Sequence, residues 1–167
     1  EQQRILVQKS QEDVSAFGEL YDEYYPKILN YTLRRTASIQ IAQEVTSTVF
    51  FKALENIGRF KWRDIPFSAW LYRIASNEIA NYYRGNGHKE YSLEHLSHSR
   101  VMAGSSIELE ACDVEADLLR HEDFLALHRR IARLPLKYQE VITLRFFEDK
   151  QIHEIGEILG KPEGTVK

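Results

Sequence analysis

The apolar positions of this chain recur at three- and four-residue intervals along most of its length, the spacing of helices that each bury one face. Val14, Phe17, Leu20, Tyr21 and Tyr24 form a first stripe, with Asp13 and Ser15 available as caps. Pro26 either kinks this helix or opens its continuation through Ile28, Leu29 and Leu33. A second stripe carries Ala42, Val45, Val49, Phe50 and Ala53, and after the turn-like GRFKWRDIP a third carries Phe67, Trp70, Leu71, Ile74, Ala75 and Ile79. Further on, Leu118, Leu125, Leu127, Ile131 and Leu134 continue the pattern, and Pro135 opens a helix with Tyr138, Val141, Ile142 and Leu144. No alternating run of strand length is present, so the expected class is all-α.

The last stretch, EIGEILGKPEGTVK, reads as helix, tight turn and helix start. Ile152, Ile155, Ile158 and Leu159 share one face, opposite His153, Glu154 and Glu157. Gly160 can end that helix in the left-handed conformation, and Pro162 suits the start of another. Two structures share this pattern: a helix-turn-helix whose second helix enters the DNA major groove, and an ordinary αα-hairpin of a bundle. The stretch alone leaves both open.

Between the helical parts, the segment from Gly85 to Ser106 clusters Gly, Asn, His and Ser without a sustained period. So long a structureless connection is uncommon inside one domain. The expected organisation is therefore a domain over 1–84, a linker over 85–112 with a short helix at Ser92 to Leu96, and a second domain over 113–167. The length of 167 residues accommodates two small domains.

The net charge of −3 argues against gripping nucleic acid by bulk electrostatics. The charge is uneven, however. Residues 1–84 hold 11 Lys+Arg against 10 Asp+Glu, residues 85–117 hold 2 against 7, and residues 118–167 hold 9 against 8. With the acidity confined to the middle, each flank is near +1, and a DNA role needs only local basic patches. No apolar run approaches the roughly 18 residues of a membrane span, and EQQRILVQKS lacks the apolar core of a signal peptide. A single cysteine, Cys112, agrees with a reducing compartment, so a cytoplasmic site is expected.

Catalytic signatures are missing: no Walker-type glycine loop, Cys-x-x-Cys, nucleophile elbow or His-Glu-x-x-His. His95 and His98 with Cys112 downstream are read as polar linker residues rather than metal ligands, and His121 and His128 as a solvated face. No enzyme, catalytic residue, metal or cofactor is expected. The stretch from Arg59 to Arg84 is more informative. Its R-F-K-W-R run alternates cations with flat rings, and Trp70, Tyr72, Arg73, Tyr82, Tyr83 and Arg84 extend that chemistry. A duplex hides its base faces and a single strand offers both bases and phosphates, so cations beside stacking platforms suit an opened strand. Phe67 and Trp70 fall on the apolar face and are expected in the core, while Arg59, Lys61, Arg63 and Arg73 make a local positive patch.

The run FSAWLYRIASNEIANYYR at 67–84 resembles the region-two signature of extracytoplasmic-function sigma factors of the sigma-70 family. AFGELYDEYYPKILNYTLRRT at 16–36 and AQEVTSTVFFKAL at 42–54 fall at the matching upstream places. LPLKYQEVITLRFFEDKQIHEIGEILGKPEGTVK at 134–167 is similar to region four. The resemblance implies an alternative sigma factor whose partners are core RNA polymerase, through its beta and beta-prime subunits, promoter DNA and an anti-sigma factor. It implies that the helix holding Glu44, Ser47, Thr48 and Phe50 docks on the coiled coil of the largest catalytic subunit, with Ser47 and Thr48 in place of the usual Gln-Glu pair. It implies a minus-ten site of Arg59, Phe60, Lys61, Arg63, Arg73, Asn77, Asn81 and Arg84, with Asn77 reading a base flipped from the non-template strand. Unstacking that base costs a few kcal/mol, which aromatic walls and amide hydrogen bonds must offset. It implies minus-thirty-five contacts from Glu163, Gly164, Thr165 and Lys167. The family continues with a basic stretch past this lysine, so the natural protein is expected to extend beyond Lys167; the chain ending there is expected to read a minus-thirty-five element poorly.

Two other functions fit parts of the chain. A transcriptional regulator with a response-regulator-type helix-turn-helix shares the EIGEILG-x-x-x-GTVK pattern but leaves residues 1–84 unexplained. A helical protein that binds a partner helix and no DNA leaves the aromatic-basic run unexplained.

Overall fold

In the computed structural model, which describes residues 2–62, 65–85, 127, 130–131 and 133–167, every regular element among the described residues is helical. Arg63, linker residues 86–112 with the short helix expected at 92–96, Leu118, Leu125, His95, His98, Cys112, His121 and His128 lie outside the described residues. Asp13 caps a short 3-10 turn, Val14–Ala16, by accepting the Ser15 N–H at 2.8 Å. The turn feeds α2 (Phe17–Thr36). Pro26 lies inside α2 and does not end it, so both candidate segments are one helix of 20 residues, closed by Ala37 at φ 50°. Ser38 then caps α3 (Ile39–Asn56), its hydroxyl accepting the Ile41 N–H.

The three stripes meet as expected. Phe17, Leu20, Tyr24 and Ile28 of α2, Ala42, Val45, Val49, Phe50 and Ala53 of α3, and Phe67, Leu71, Ala75 and Ile79 of α4 (Phe67–Gly85) are all buried. Several polar groups taken into this interior are paired across helices. The Thr32 and Thr46 hydroxyls meet at 2.9 Å between α2 and α3, and Tyr31 meets Ser76 at 2.7 Å between α2 and α4. Burial pushes the Tyr31 hydroxyl up to about 12, so it stays a neutral hydrogen-bonding group. Two members of the first stripe behave differently. Val14 is 67% exposed because the 3-10 turn points it outward, and Tyr21 stands at the edge of its stripe, stacked on Tyr25.

One helix has no counterpart in the apolar pattern. α1 (Gln2–Glu12) buries only Val7 and Ser10, with Leu6 packed alongside, and much of its attachment is polar. The Gln3 amide donates to the Tyr24 hydroxyl, and the Gln11 amide donates to the carbonyls of Ile57 and Phe60 at 2.9 and 2.7 Å. α1 thereby anchors the loop that follows α3.

The C-terminal part comprises α5 (Leu136–Phe146), α6 (Ile152–Leu159) and α7 (Glu163–Val166). Leu144, Ile155, Ile158 and Val166 belong to the same buried cluster as the α2–α4 stripes, so this part packs directly on the first. Several positions expected on its apolar face are instead open to solvent: Leu127, Leu134 and Tyr138 are 37–51% exposed, and α5 buries Gln139, Thr143 and Leu144 rather than Tyr138. The Tyr72 hydroxyl donates to Glu148 at 2.6 Å across the contact, and the Arg73 guanidinium caps the end of α6 by donating to the carbonyls of Ile158, at 3.1 Å, and Glu157. Cations at a helix C-terminus complement its dipole.

Burial pushes the Glu148 carboxyl above its ordinary value, although Tyr72, Arg34 and Lys150 pull it back. The packed state therefore takes up a proton more readily than the separated one. Its contact is strongest below the ordinary carboxyl value of 4.5 and weakens as pH rises through the raised value. Glu148→Gln, uncharged and still an acceptor for Tyr72, should raise the packed population several-fold at neutral pH and remove this pH dependence. Energy transfer between dyes on α1 and α7 reads both effects; an unchanged pH profile would assign the dependence to another group.

Candidate nucleic-acid interface

The α3–α4 connection begins with a 3-10 turn, Ile57–Arg59, pinned by the buried Ile57 and by Gln11. Phe60 then lies against Phe67 and Trp70, with ring centroids 5.7 and 4.8 Å away, and Trp62 meets its other edge at 6.1 Å. Phe67 is wholly buried, whereas Phe60, Trp62 and Trp70 keep part of their rings open. Trp70, expected in the core, is instead a wall residue: its position is one step round the helix from the stripe Phe67, Leu71, Ala75, Ile79.

Two open cavities adjoin this aromatic wall and share Arg59, Phe60 and Trp70. One, of about 400 Å³, runs between the end of α3 and the face of α4, with Lys52, Asn56, Ile74, Asn77 and Glu78 completing its lining. The other, of about 340 Å³, is completed by Lys61, Ile65 and Arg73. Flat rings, an amide and flanking cations are the groups that hold an unstacked base and its phosphate. Arg59, Lys61 and Asn77 are exposed at these cavities, as the minus-ten reading requires of them. Arg73 is present too, but α6 holds its guanidinium. Asn81 and Arg84 do not line the larger cavity. Asn81 donates to Glu78 at 3.3 Å and accepts from Arg84, so the two stand behind Glu78 along the same face of α4.

Lys52, Asn56 and Glu78 were not singled out by the sequence, and Ile74 was placed only in the apolar stripe. Trp70, Ile74, Asn77 and Glu78 do repeat at helical spacing beside the core stripe, a second stripe that is visible in retrospect. Lys52 and Asn56 are four apart on α3, and only the α3–α4 packing shows which face they meet.

On α3, Glu44 and Ser47 are exposed, and the Thr48 hydroxyl is turned back to the Glu44 carbonyl at 3.0 Å. Phe50 points inward: it is 4% exposed, with Tyr21, Tyr25 and Phe17 around its ring. The aromatic that faces solvent beside Glu44 and Ser47 is its neighbour Phe51, at 61% exposure.

At the chain's other end, α6 opens with the Gln151 N–H donating to the Glu154 carboxylate at 2.7 Å and closes on Gly160 at φ 63°. The Lys161 N–H returns to the Gly156 carbonyl at 2.9 Å, and Pro162 precedes α7. This is the helix, turn and helix start expected from the spacing. Glu163, Gly164, Thr165 and Lys167 are all exposed, while Val166 turns inward.

Comparison with known proteins matches this architecture twice. The Sigma-70 region 2 family model matches residues 20–89, and the Sigma-70, region 4 model matches residues 124–167. The ECF RNA polymerase sigma factor SigW of Bacillus subtilis is 32% identical over 97% of this chain and 87% of its own length. The RNA polymerase sigma-H factor of Pseudomonas aeruginosa is 31% identical over 100% of this chain and 87% of its own length. The ECF RNA polymerase sigma factor BldN of Streptomyces coelicolor is 31% identical over 97% of this chain, which spans 59% of that longer protein. Among solved structures, CnrH in complex with the cytosolic domain of CnrY shares the fold, with a TM-score of 0.69 over 99% of this chain and 88% of that one at 20% identity.

Proposed function

Because the chain belongs to the sigma-70 family, as an ECF-type sigma factor that directs transcription initiation, we propose that its α3–α4 cavities receive a base of the opened minus-ten element. The observation that carries this reading is the half-open Phe60–Trp70 wall beside Asn77, with Arg59 and Lys61 at its mouth. A base stacks on the rings, the Asn77 amide donates to or accepts from its edge, and the cations meet the flanking phosphates. Arg63, outside the described residues, follows Trp62 in the sequence and carries the same charge. Arg73 can reach the strand only once α6 leaves it, so minus-ten binding and release of the C-terminal part go together. Asn81 and Arg84 act through Glu78 and each other rather than on the first base captured.

The domain over 1–84 docks on core RNA polymerase, at its beta and beta-prime subunits, through the exposed face of α3. Glu44, Ser47 and Phe51 supply that contact, Thr48 lies at its margin, and Phe50 shapes the helix from beneath. The domain over 113–167 reads the minus-thirty-five element with Glu163, Gly164, Thr165 and Lys167. The chain carries out no chemistry of its own and works in the cytoplasm, where the polymerase supplies phosphodiester synthesis. A protein partner of the anti-sigma type fits the pattern of CnrH, which was solved bound to the cytosolic domain of CnrY. A response-regulator-type effector would give α1–α4 no role.

Run-off transcription with core polymerase on a genomic promoter library tests the reading, and no stimulation on any promoter would sink it. Within that assay Asn77→Ala should shift the preferred minus-ten base by roughly tenfold, the scale of one good base contact, with core affinity unchanged. An unaltered preference rejects Asn77 as the reader.

A further inference from the structure

Glu78 is the one acidic residue lining the larger cavity, an unexpected group beside a polyanion. Its side chain is 13% exposed and spans from α4 to Lys52 of α3, whose ammonium donates to Oε1 at 2.7 Å. The Asn81 amide donates to the same oxygen at 3.3 Å. Among the described residues both donors thus go to Oε1 and none to Oε2, which is left to accept from water or a ligand. Lys52 cancels the charge of Glu78, and Arg59 leaves the lining net positive, so a strand is not repelled.

Base edges differ in what they offer such an acceptor. At the 4-position of a pyrimidine and the 6-position of a purine, cytosine N4 and adenine N6 are amino donors, whereas thymine O4 and guanine O6 are acceptors; the N–H donors of thymine (N3) and guanine (N1 and N2) lie further along the edge. We propose that Glu78, fixed in place by Lys52, is a specificity-determining residue of the cavity: its second oxygen accepts from the N4 amino group of a captured cytosine or the N6 amino group of a captured adenine, and disfavours thymine and guanine, which place a carbonyl oxygen at that point of the edge. This rests on the base-capture reading above and names its selectivity. The Asn77 amide accepts or donates at the neighbouring edge atom, so it reads position while Glu78 reads the amino group.

The test uses the holoenzyme, formed from the chain and core polymerase, on promoters with a randomised minus-ten element, with open complexes selected and sequenced. The expected result is one position at which cytosine or adenine exceeds thymine and guanine by roughly tenfold or more. At that position, replacing dC by dU, or dA by deoxyinosine, exchanges the amino group for a carbonyl and places a hydrogen on the adjacent ring nitrogen, and should lower open-complex yield by a similar factor. Glu78→Gln can offer either an oxygen or an amide N–H; it should shrink the discrimination to about twofold while leaving other positions and core binding unchanged. The proposal is overturned if no position prefers amino-bearing bases, or if Glu78→Gln keeps the full preference. Asn77→Ala in parallel separates the two readings: if it alters base preference where Glu78→Gln does not, base capture stands and only the role of Glu78 falls. If neither variant alters it, both fall.

Discussion

Phe67→Ala should destabilise the protein by about 3–5 kcal/mol, the range for truncating a buried aromatic where neighbours cannot collapse into the space. The ring is fully buried, with Tyr24 of α2 at 5.6 Å and Trp70 of α4 at 5.5 Å, each edge-on or tilted, besides Phe60 of the loop at 5.7 Å. Helix α4 cannot close the gap locally, because Leu71, Ala75 and Ile79 continue the same packed face. Denaturant unfolding should show a lower midpoint with an unchanged slope. The functional loss should exceed what the unfolded fraction accounts for, because Phe67 is the floor on which Phe60 and Trp70 rest. In folded protein, open-complex yield should fall at least tenfold while core binding through α3 persists. Full open-complex yield from folded Phe67→Ala would mean that the aromatic wall is not a base platform.

The legibility of this fold followed how each part is held. The α2–α4 interior could be read because Phe17, Leu20, Val45, Val49, Leu71 and Ile79 repeat at helical spacing and each repeat fills one buried seam. α1 escaped because its register is set largely by the Gln3 and Gln11 side chains, which leave no apolar period. Trp70 was misplaced because periodicity groups residues within about one turn of a face and does not separate its centre from its rim. Phe50 and Phe51 pose the same difficulty, since adjacent aromatics differ by 100° round the helix and only packing decides which is inside. The packing of Ile155 and Ile158 into the α2–α4 cluster, and the diversion of Arg73 to α6 across 84 and 85 residues of sequence, are contacts that no local pattern records. At the cavities, Arg59 and Lys61 stand out in the sequence as cations of the aromatic-basic run and Asn77 only through the family resemblance, while Lys52 and Glu78 become meaningful only as a pair across two helices.

Gly156→Ala carries the other large expected effect. The turn between α6 and α7 was legible through Gly160 and Pro162, but Gly156 sits mid-helix, where glycine is ordinarily a cost of about 1 kcal/mol against alanine. Here the close approach of the next segment reverses that preference: a Cβ at Gly156 would lie 2.8 Å from the Lys161 carbonyl oxygen, a backbone atom. That carbonyl cannot swing away alone. The Lys161 N–H is bonded to the Gly156 carbonyl, and Gly160 holds the left-handed turn immediately before it. Relief of the clash must therefore move the turn as a unit and carry α7 off α6, drawing Val166 out of the core it shares with Ile155 and Ile158. Overpacking of this kind costs about 1–3 kcal/mol, enough to disorder a helix as short as α7. Gly18→Ala in α2, away from this turn, is the control for an added methyl, since its Cβ would meet nothing within 4 Å. On paired promoters with intact or scrambled minus-thirty-five elements, Gly18→Ala should behave as the parent chain does. Gly156→Ala should lose whatever advantage the intact element gives, while transcription that depends on the minus-ten element alone continues. Should Gly156→Ala keep that advantage undiminished, the turn tolerates displacement and α7 is not the reader of the upstream element.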